Sequence, residues 1–160
     1  MSSTIQIYTD GSAHYKTQYG AWAFVVVQDG VSIYEDVGTE KDTTNNRMEL
    51  RGICAALSYI LERNELGKTY EIITDSQYAY FGLTTWRKSW KLKDWKNVKN
   101  ADLWQNLDRV VDALPTFGLP VSFLWVRGHA GNKFNEQVDK LAHAAFQKLT
   151  ASEGGSRSVG

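Results

Sequence analysis

At 160 residues, 42% apolar and 22% charged, the chain has the size and balance of a single globular domain. Lysine plus arginine (18) equals aspartate plus glutamate (18), so bulk charge gives no sign of a polyanionic partner, and the longest apolar run, Ala21 to Val27, is far short of the roughly 20 residues that span a membrane. MSSTIQI lacks the basic-then-apolar pattern of a signal peptide, and the single Cys54 excludes an internal disulfide and fits a reducing compartment, so a cytoplasmic protein is expected.

Ile5 and Ile7 alternate with polar residues, which predicts a strand ending near Asp10. AWAFVVVQDGVSIYEDVG reads as two strands joined at Asp29-Gly30, a dipeptide that favours tight hairpins. A helix is predicted from about Asn46, with a wide apolar surface (Met48, Leu50, Ile53, Cys54, Leu57 and Ile60) and Gly67 just past its end. The strand YEIITD follows, then a short helix from Ser76. Trp86 to Lys99 carries six basic residues, one acid and three of the six tryptophans. ADLWQNLDRVVDAL is amphipathic and is ended by Pro115, Gly118 and Pro120; VSFLWV is a strand and NEQVDKLAHAAFQKL a final helix. Residues 1–150 are expected to form one domain and 151–160 a flexible tail. The order β-β-β-α-β-α-α-β-α predicts an α/β protein with a mixed sheet and helices on its faces.

Two strands end in Thr-Asp followed by a small residue, at Asp10 and Asp75. Each acid has an ordinary reading on its own. Asp10-Gly-Ser is turn chemistry, Asp75 precedes a helix as an N-cap does, and Glu49 stands three residues after Asn46, the spacing of a capping box. Asp139 lies four residues before His143 in the last helix, where a solvated acid is common. Taken together, two strand ends and two helices can bring four acids to one place. Carboxylates so crowded repel one another unless cations compensate them. Mg²⁺ takes oxygen ligands, and a pair of such ions about 4 Å apart suits phosphodiester cleavage. His129, flanked by glycines in RGHAGN, places an imidazole after a strand where it can move protons near neutral pH.

Five motifs occur in order: YTDGS, TTNNRMEL, TDSQY, VKNADLW and VRGHAGNKFNEQVDKLA. Together they resemble type 1 ribonuclease H, the ribonuclease HI family, over roughly residues 4 to 149. The resemblance implies a ribonuclease H-like fold: a five-stranded mixed sheet, an antiparallel hairpin meander plus parallel strands, flanked by helices. It implies an endonuclease that hydrolyses the RNA strand of RNA–DNA hybrids by two-metal-ion catalysis, without base sequence specificity, leaving 5′-phosphate and 3′-hydroxyl ends. By the same resemblance Asp10, Glu49, Asp75 and Asp139 hold two Mg²⁺ ions with substrate bound, Mn²⁺ being a possible substitute. His129 matches the family's mobile histidine. Thr44 and Asn100 would hold a phosphate of the DNA strand, and Trp86 and Trp90 would pack on its deoxyribose. A monomer is expected.

The substrate side agrees. Telling RNA from DNA requires reading the 2′-hydroxyl, which both donates and accepts. Asn45 and Asn46 offer amides with both capabilities one turn from Glu49, and Gln77 follows Asp75 closely enough to reach a ribose or base edge. Lys91, Lys93 and Lys96 suit phosphates, so binding should weaken steeply with salt. After TDGS the family commonly carries a glycine- and proline-rich loop with an asparagine that touches the hybrid. Here AHYKTQYGAWA is shorter, has neither proline nor asparagine, and offers His14, Lys16 or Gln18 instead. An integrase or resolvase of the same fold would also gather acids around two metals, but it lacks the NNRMEL readers and the tryptophan-bearing basic stretch. A non-catalytic hybrid-binding module would have lost an acid, and here all four are present with His129.

Overall fold

The computed structural model describes the backbone of residues 4–128 and 131–159 and side chains through Ser152; His129 lies outside the described residues. β1 (Thr4–Ala13), β2 (Gly20–Gln28) and β3 (Val31–Glu40) form an antiparallel meander. The β2–β3 turn is Asp29-Gly30, both at positive φ (52° and 76°), as a two-residue hairpin requires. α1 (Asn45–Arg63) leads to β4 (Thr69–Thr74), which pairs parallel with β1. β5 (Val121–Trp125) pairs parallel with β4, giving the order β3-β2-β1-β4-β5. This is the expected five-stranded mixed sheet.

The central strands β2, β1 and β4 are buried on both faces, while the edge strand β3 is largely exposed. Ile5, Ile7, Phe24 and Ile72 pack with Leu50, Ile53 and Ile60 of α1 and with Trp104 and Leu107 of α4 (Ala101–Ala113). Tyr8, Val25, Val27 and Ile73 pack with Val138 and Ala142 of α5 (Lys133–Val159) on the other face. Strand alternation assigns these sides: odd positions of β1 face α1 and even positions face α5. Among the described residues, no helix is long and apolar enough to cross a membrane.

Four boundaries differ from the sequence expectation. β1 does not end near Asp10 but runs on to Ala13, because β2 starts early enough to pair Asp10 with Ala23 and Ala13 with Gly20. α1 starts at Asn45, capped by Thr44, and stops at Asn64 in the left-handed conformation (φ 49°), ahead of Gly67. The short helix after Ser76 runs on as α2 (Gln77–Phe81), one π turn (Gly82–Trp86) and α3 (Arg87–Leu92). Finally, α5 continues to Val159, through the segment expected as a tail from residue 151. Thr150 Oγ1 donates to the Phe146 carbonyl at 3.1 Å, so the helix is intact where the tail was expected to begin, and no proline interrupts it.

Helical continuity into the basic stretch, as far as Leu92, has a cause in α4. Arg87 Nη1 reaches Asp108 Oδ1 at 2.7 Å and Asp112 Oδ1 at 2.8 Å, while its Nε donates to the Leu83 carbonyl at 2.7 Å. The Asp108 side chain is only 6% exposed, so removing Arg87 leaves a buried charge with the more exposed Lys91 alone to pair it. Arg87→Met is expected to lower the unfolding free energy by about 2–3 kcal/mol, read from urea denaturation. A loss below about 0.5 kcal/mol would show that the pair does not hold the stretch to α4.

Candidate active site

None of the ordinary readings of the three acids survives in the fold. Asp10 sits in an extended strand, not a turn. The cap of α2 is Ser76, whose hydroxyl accepts from the Ala79 N–H at 3.1 Å, so Asp75 is not the N-cap. The cap of α1 is Thr44, accepting from the Arg47 N–H at 3.2 Å, so Asn46 and Glu49 form no capping box. Parallel pairing of β1 with β4 ends at Thr9 and Thr74. Asp10 and Asp75 are therefore the next residues on two adjacent strands, and parity with Tyr8 and Ile73 turns both toward α5.

Glu49 arrives from the opposite face. It can do so because Gly11, which parity turns toward α1, has no side chain. A Cβ there would stand inside 3.0 Å of the Met48 carbonyl and the Glu49 N–H. The result is a cluster in which carboxylate oxygens of Asp10, Glu49 and Asp75 lie within 4.8 Å of one another. Asp139 is exposed on α5 and makes a side-chain hydrogen bond with Asp10, outside that tightest group.

Crowding shows in the proton affinities. Burial, then repulsion from Asp75, then the hydrogen bond to Asp139 push the Asp10 carboxyl up to about 8. Burial also holds Glu49 well above the usual carboxylate range, with Asp10 and Asp75 adding to the effect and the Gly11 N–H opposing it. Glu49 Oε2 is buried without a hydrogen-bond partner among the described residues. A buried, unpartnered carboxylate oxygen facing two more carboxylates is a poor hydrogen-bonding site and a good cation site. Hard oxygen donors of this kind fit Mg²⁺ or Mn²⁺, and nothing in the set suggests zinc, which favours cysteine and histidine.

Around this centre the other expected contacts fall in different places. Asn45 Oδ1 accepts from the Ala13 N–H at 2.6 Å, which ties the start of α1 to the end of β1. Thr44, Asn46 and Gln77 are exposed. Asn100, the left-handed cap residue of α4, accepts from Arg47 Nη1 at 3.3 Å and donates to the Tyr78 hydroxyl at 3.1 Å. Trp86 is 41% exposed, whereas Trp90 packs edge-on against the buried Trp104 at 5.1 Å. The expected stacking role therefore suits Trp86 better than Trp90. Lys91 is paired with Asp108 (3.1 Å) and Asp112 (3.3 Å), because one helical turn from Arg87 aims it at the same acids. Lys93 and Lys96 are exposed and border a hollow of about 430 Å³ with Trp90 and Asn97.

Arg47 has a role that no sequence motif signals. It binds Asp102 through both guanidinium nitrogens (3.0 and 2.9 Å) as well as Asn100, joining the N-termini of α1 and α4. That bridge holds the Asp102 carboxyl down to about 2. No local spacing links residues 53 and 55 apart, so only the fold shows it. For Gly11 a local signal exists, since a glycine inside a strand pattern marks close backbone approach.

A five-stranded mixed sheet with carboxylates gathered where the parallel β1–β4 pairing ends, one of them brought by α1, is the arrangement of a ribonuclease H-type protein. Comparison with known proteins agrees. The model of the RNase H family matches residues 2–147. Ribonuclease H of Treponema denticola is 39% identical, with 91% of this chain and 98% of that protein aligned. Ribonuclease HI of Pseudomonas syringae pv. tomato is 40% identical, with 93% and 96% aligned. Among solved structures, LC9-RNase H1, a type 1 RNase H with the type 2 active-site motif, superposes with a TM-score of 0.77 at 28% identity over 92% of this chain and 74% of that one. LC11-RNase H1, crystallised in complex with an RNA/DNA hybrid, superposes at 0.69 over 91% of this chain and 99% of that one and, at 18% identity, shares the fold. The chain belongs to the ribonuclease H family.

Proposed function

We propose that this ribonuclease H cuts the RNA strand of RNA–DNA hybrids at the Asp10–Glu49–Asp75 cluster, using two Mg²⁺ ions held by these residues and Asp139, with Mn²⁺ as a substitute. Cleavage leaves 5′-phosphate and 3′-hydroxyl ends and is independent of base sequence. The observation that carries this reading is the cluster itself: three carboxylates within 4.8 Å, one with a buried oxygen that lacks any partner among the described residues. When bound, divalent ions there supply a more acidic water and neutralise charge developing at the scissile phosphate.

The chain's own residues supply the rest. The Ala13 N–H holds Asn45 by its oxygen and leaves the amide hydrogens to donate to a ribose 2′-oxygen. Asn46 and Gln77 extend that contact along the minor groove. Asn100 keeps one amide hydrogen beyond the one given to Tyr78, and with Thr44 it grips a DNA-strand phosphate. Trp86 offers an exposed face for a deoxyribose. His129 handles a proton during turnover or product release. The enzyme acts as a monomer in the cytoplasm. That the related LC11-RNase H1 was crystallised with an RNA/DNA hybrid supports the substrate assignment.

The test is incubation of the chain with a strand-labelled hybrid, a DNA duplex and an RNA duplex, with Mg²⁺ or with chelator. Cleavage is expected only of the RNA strand of the hybrid and only with Mg²⁺. Cleavage of the DNA duplex with the hybrid intact would point to an integrase-like enzyme. Retention of an uncut hybrid in Mg²⁺ would reduce the chain to a binding module.

Charge removal separates the lysines. Lys93→Ala with Lys96→Ala should raise KM and flatten its log–log salt dependence by about 0.9 for each phosphate no longer neutralised. Lys91→Ala should move the slope less, since Asp108 and Asp112 already pair it. Equal slopes in all variants would return these lysines to a solvated surface.

A further inference from the structure

Of the three clustered carboxylates, Asp75 alone stands outside a regular element. β4 ends at Thr74, where pairing with β1 stops at Thr9 and pairing with β5 stops at Trp125. The Val126 N–H donates to the Thr74 carbonyl at 2.9 Å, and the Ser76 N–H donates to the Thr74 hydroxyl at 3.0 Å. Neither bond reaches the Asp75 carbonyl. That oxygen accepts from a side chain, the indole Nε1–H of Trp125, at 3.1 Å.

Trp125 is the last residue of β5 and is half-buried. It follows Phe123 by two residues, and Phe123 packs on the α1 side of the sheet. By alternation the Trp125 ring lies on that side, while Asp75 turns its carboxylate toward α5. The indole therefore grips the Asp75 backbone from behind the cluster and leaves the carboxylate oxygens to their neighbours. The chain that leaves β5 then passes beside the carboxylate. A Cβ on Gly128 would stand 3.1 Å from Asp75 Oδ2 and 3.7 Å from the Asp75 Cβ. Trp125 and Gly128 thus meet Asp75 at its backbone and at its carboxylate.

An acid inside a strand or helix has its backbone fixed by the bonds of that element. Asp75 is past that frame. Rotation of the peptide that follows it would tilt the Cα–Cβ bond and carry its carboxylate out of the 4.8 Å group. A hydrogen bond that pins this peptide keeps the oxygens in place before a cation arrives. Groups that orient a metal ligand in this way change affinity or activity by about 10- to 100-fold. Resting on the reading above, we propose that Trp125 is a positioning residue: its indole N–H fixes the Asp75 backbone and so holds that carboxylate in the cation site.

The experiment measures Mg²⁺ affinity of the hybrid-free protein by amide chemical-shift titration, with steady-state cleavage and thermal unfolding beside it. Trp125→Phe keeps a ring and loses the donor. Trp125→benzothienylalanine keeps the shape of the indole and loses only its N–H. Both should weaken Mg²⁺ binding and lower kcat roughly tenfold, with KM for the hybrid changed less than about twofold. The benzothienylalanine protein should melt close to the parent, which separates the loss from a loss of folding. In the Asp75→Asn background the Trp125→Phe penalty on Mg²⁺ affinity should disappear, because the indole acts through the carboxylate already removed. Parent-like Mg²⁺ affinity and kcat in the benzothienylalanine protein would overturn the proposal and leave hybrid cleavage standing. So would a Trp125→Phe penalty of equal size in the Asp75→Asn background. A parent that binds Mg²⁺ and shows the expected pattern but does not cut the hybrid would sink the functional reading and keep the positioning role. A parent that binds no Mg²⁺ would sink both.

Discussion

Asp10→Asn should lower hybrid cleavage roughly a thousandfold or more while making the metal-free protein more stable. Both effects come from the same crowding. The carboxyl of Asp10, 3.8 when solvated, is pushed up to about 8 in the fold, first by burial and then by Asp75. Between those values the folded state keeps a proton that the unfolded state has released. Stability must then fall as pH rises from about 4 to about 8 and level off above. The penalty at high pH is on the order of a few kcal/mol. Asparagine has the shape of aspartate without its charge. Its stability gain should therefore grow from about pH 4 upward and reach about 2 kcal/mol near neutral pH, or roughly 4–8 °C in Tm. Near-normal turnover by the variant would remove Asp10 from the catalytic group. A Tm that did not rise, with an unchanged pH profile, would show that the Asp10 carboxylate carries no penalty from burial or from its charged neighbours.

Gly11→Ala should be nearly as damaging, through geometry alone. The added methyl would meet the Met48 carbonyl and the Glu49 N–H inside 3.0 Å, and both are backbone that no rotamer change can move aside. Gly52 makes the same approach from α1, its hypothetical Cβ lying 3.1 Å from the Asp10 carbonyl. The helix must back away from the strand, at a cost of about 3 kcal/mol or roughly 6–12 °C in Tm. Because Glu49 rides on that helix, its carboxylate leaves Asp10 and Asp75. A shift of about 1 Å is enough to lower kcat roughly a hundredfold. Thermal unfolding and hybrid cleavage measure the two effects. A variant that melts and cuts like the parent would mean that α1 is not held against β1 at this point.

Much of this was legible in the sequence. Alternation at Ile5 and Ile7, the Asp29-Gly30 turn and the apolar breadth of α1 are local signals, and the fold honours them. The candidate acids were visible as a set, though each alone looked like a turn or a cap. Only the structure shows that Thr44 and Ser76 do the capping and that β2 keeps Asp10 extended, which leaves the three carboxylates to one another. The reach of β1 past Asp10 was hidden because strand length depends on where the partner strand begins. The pairing of Lys91 was hidden for a related reason. A basic run looks uniform along the chain, but α4 lays Asp108 and Asp112 under one of its faces and leaves Lys93 and Lys96 exposed.

The most direct test of the carboxylate cluster is a pH titration of the aspartate side-chain ¹³C resonances, with and without Mg²⁺. One aspartate, missing from the spectrum of Asp10→Asn, should titrate near pH 8 in the metal-free protein. Its titration should move down toward the ordinary carboxylate range when Mg²⁺ is added. If every aspartate titrates in the ordinary range, and Mg²⁺ shifts none of them, Asp10, Glu49 and Asp75 do not form a cation site.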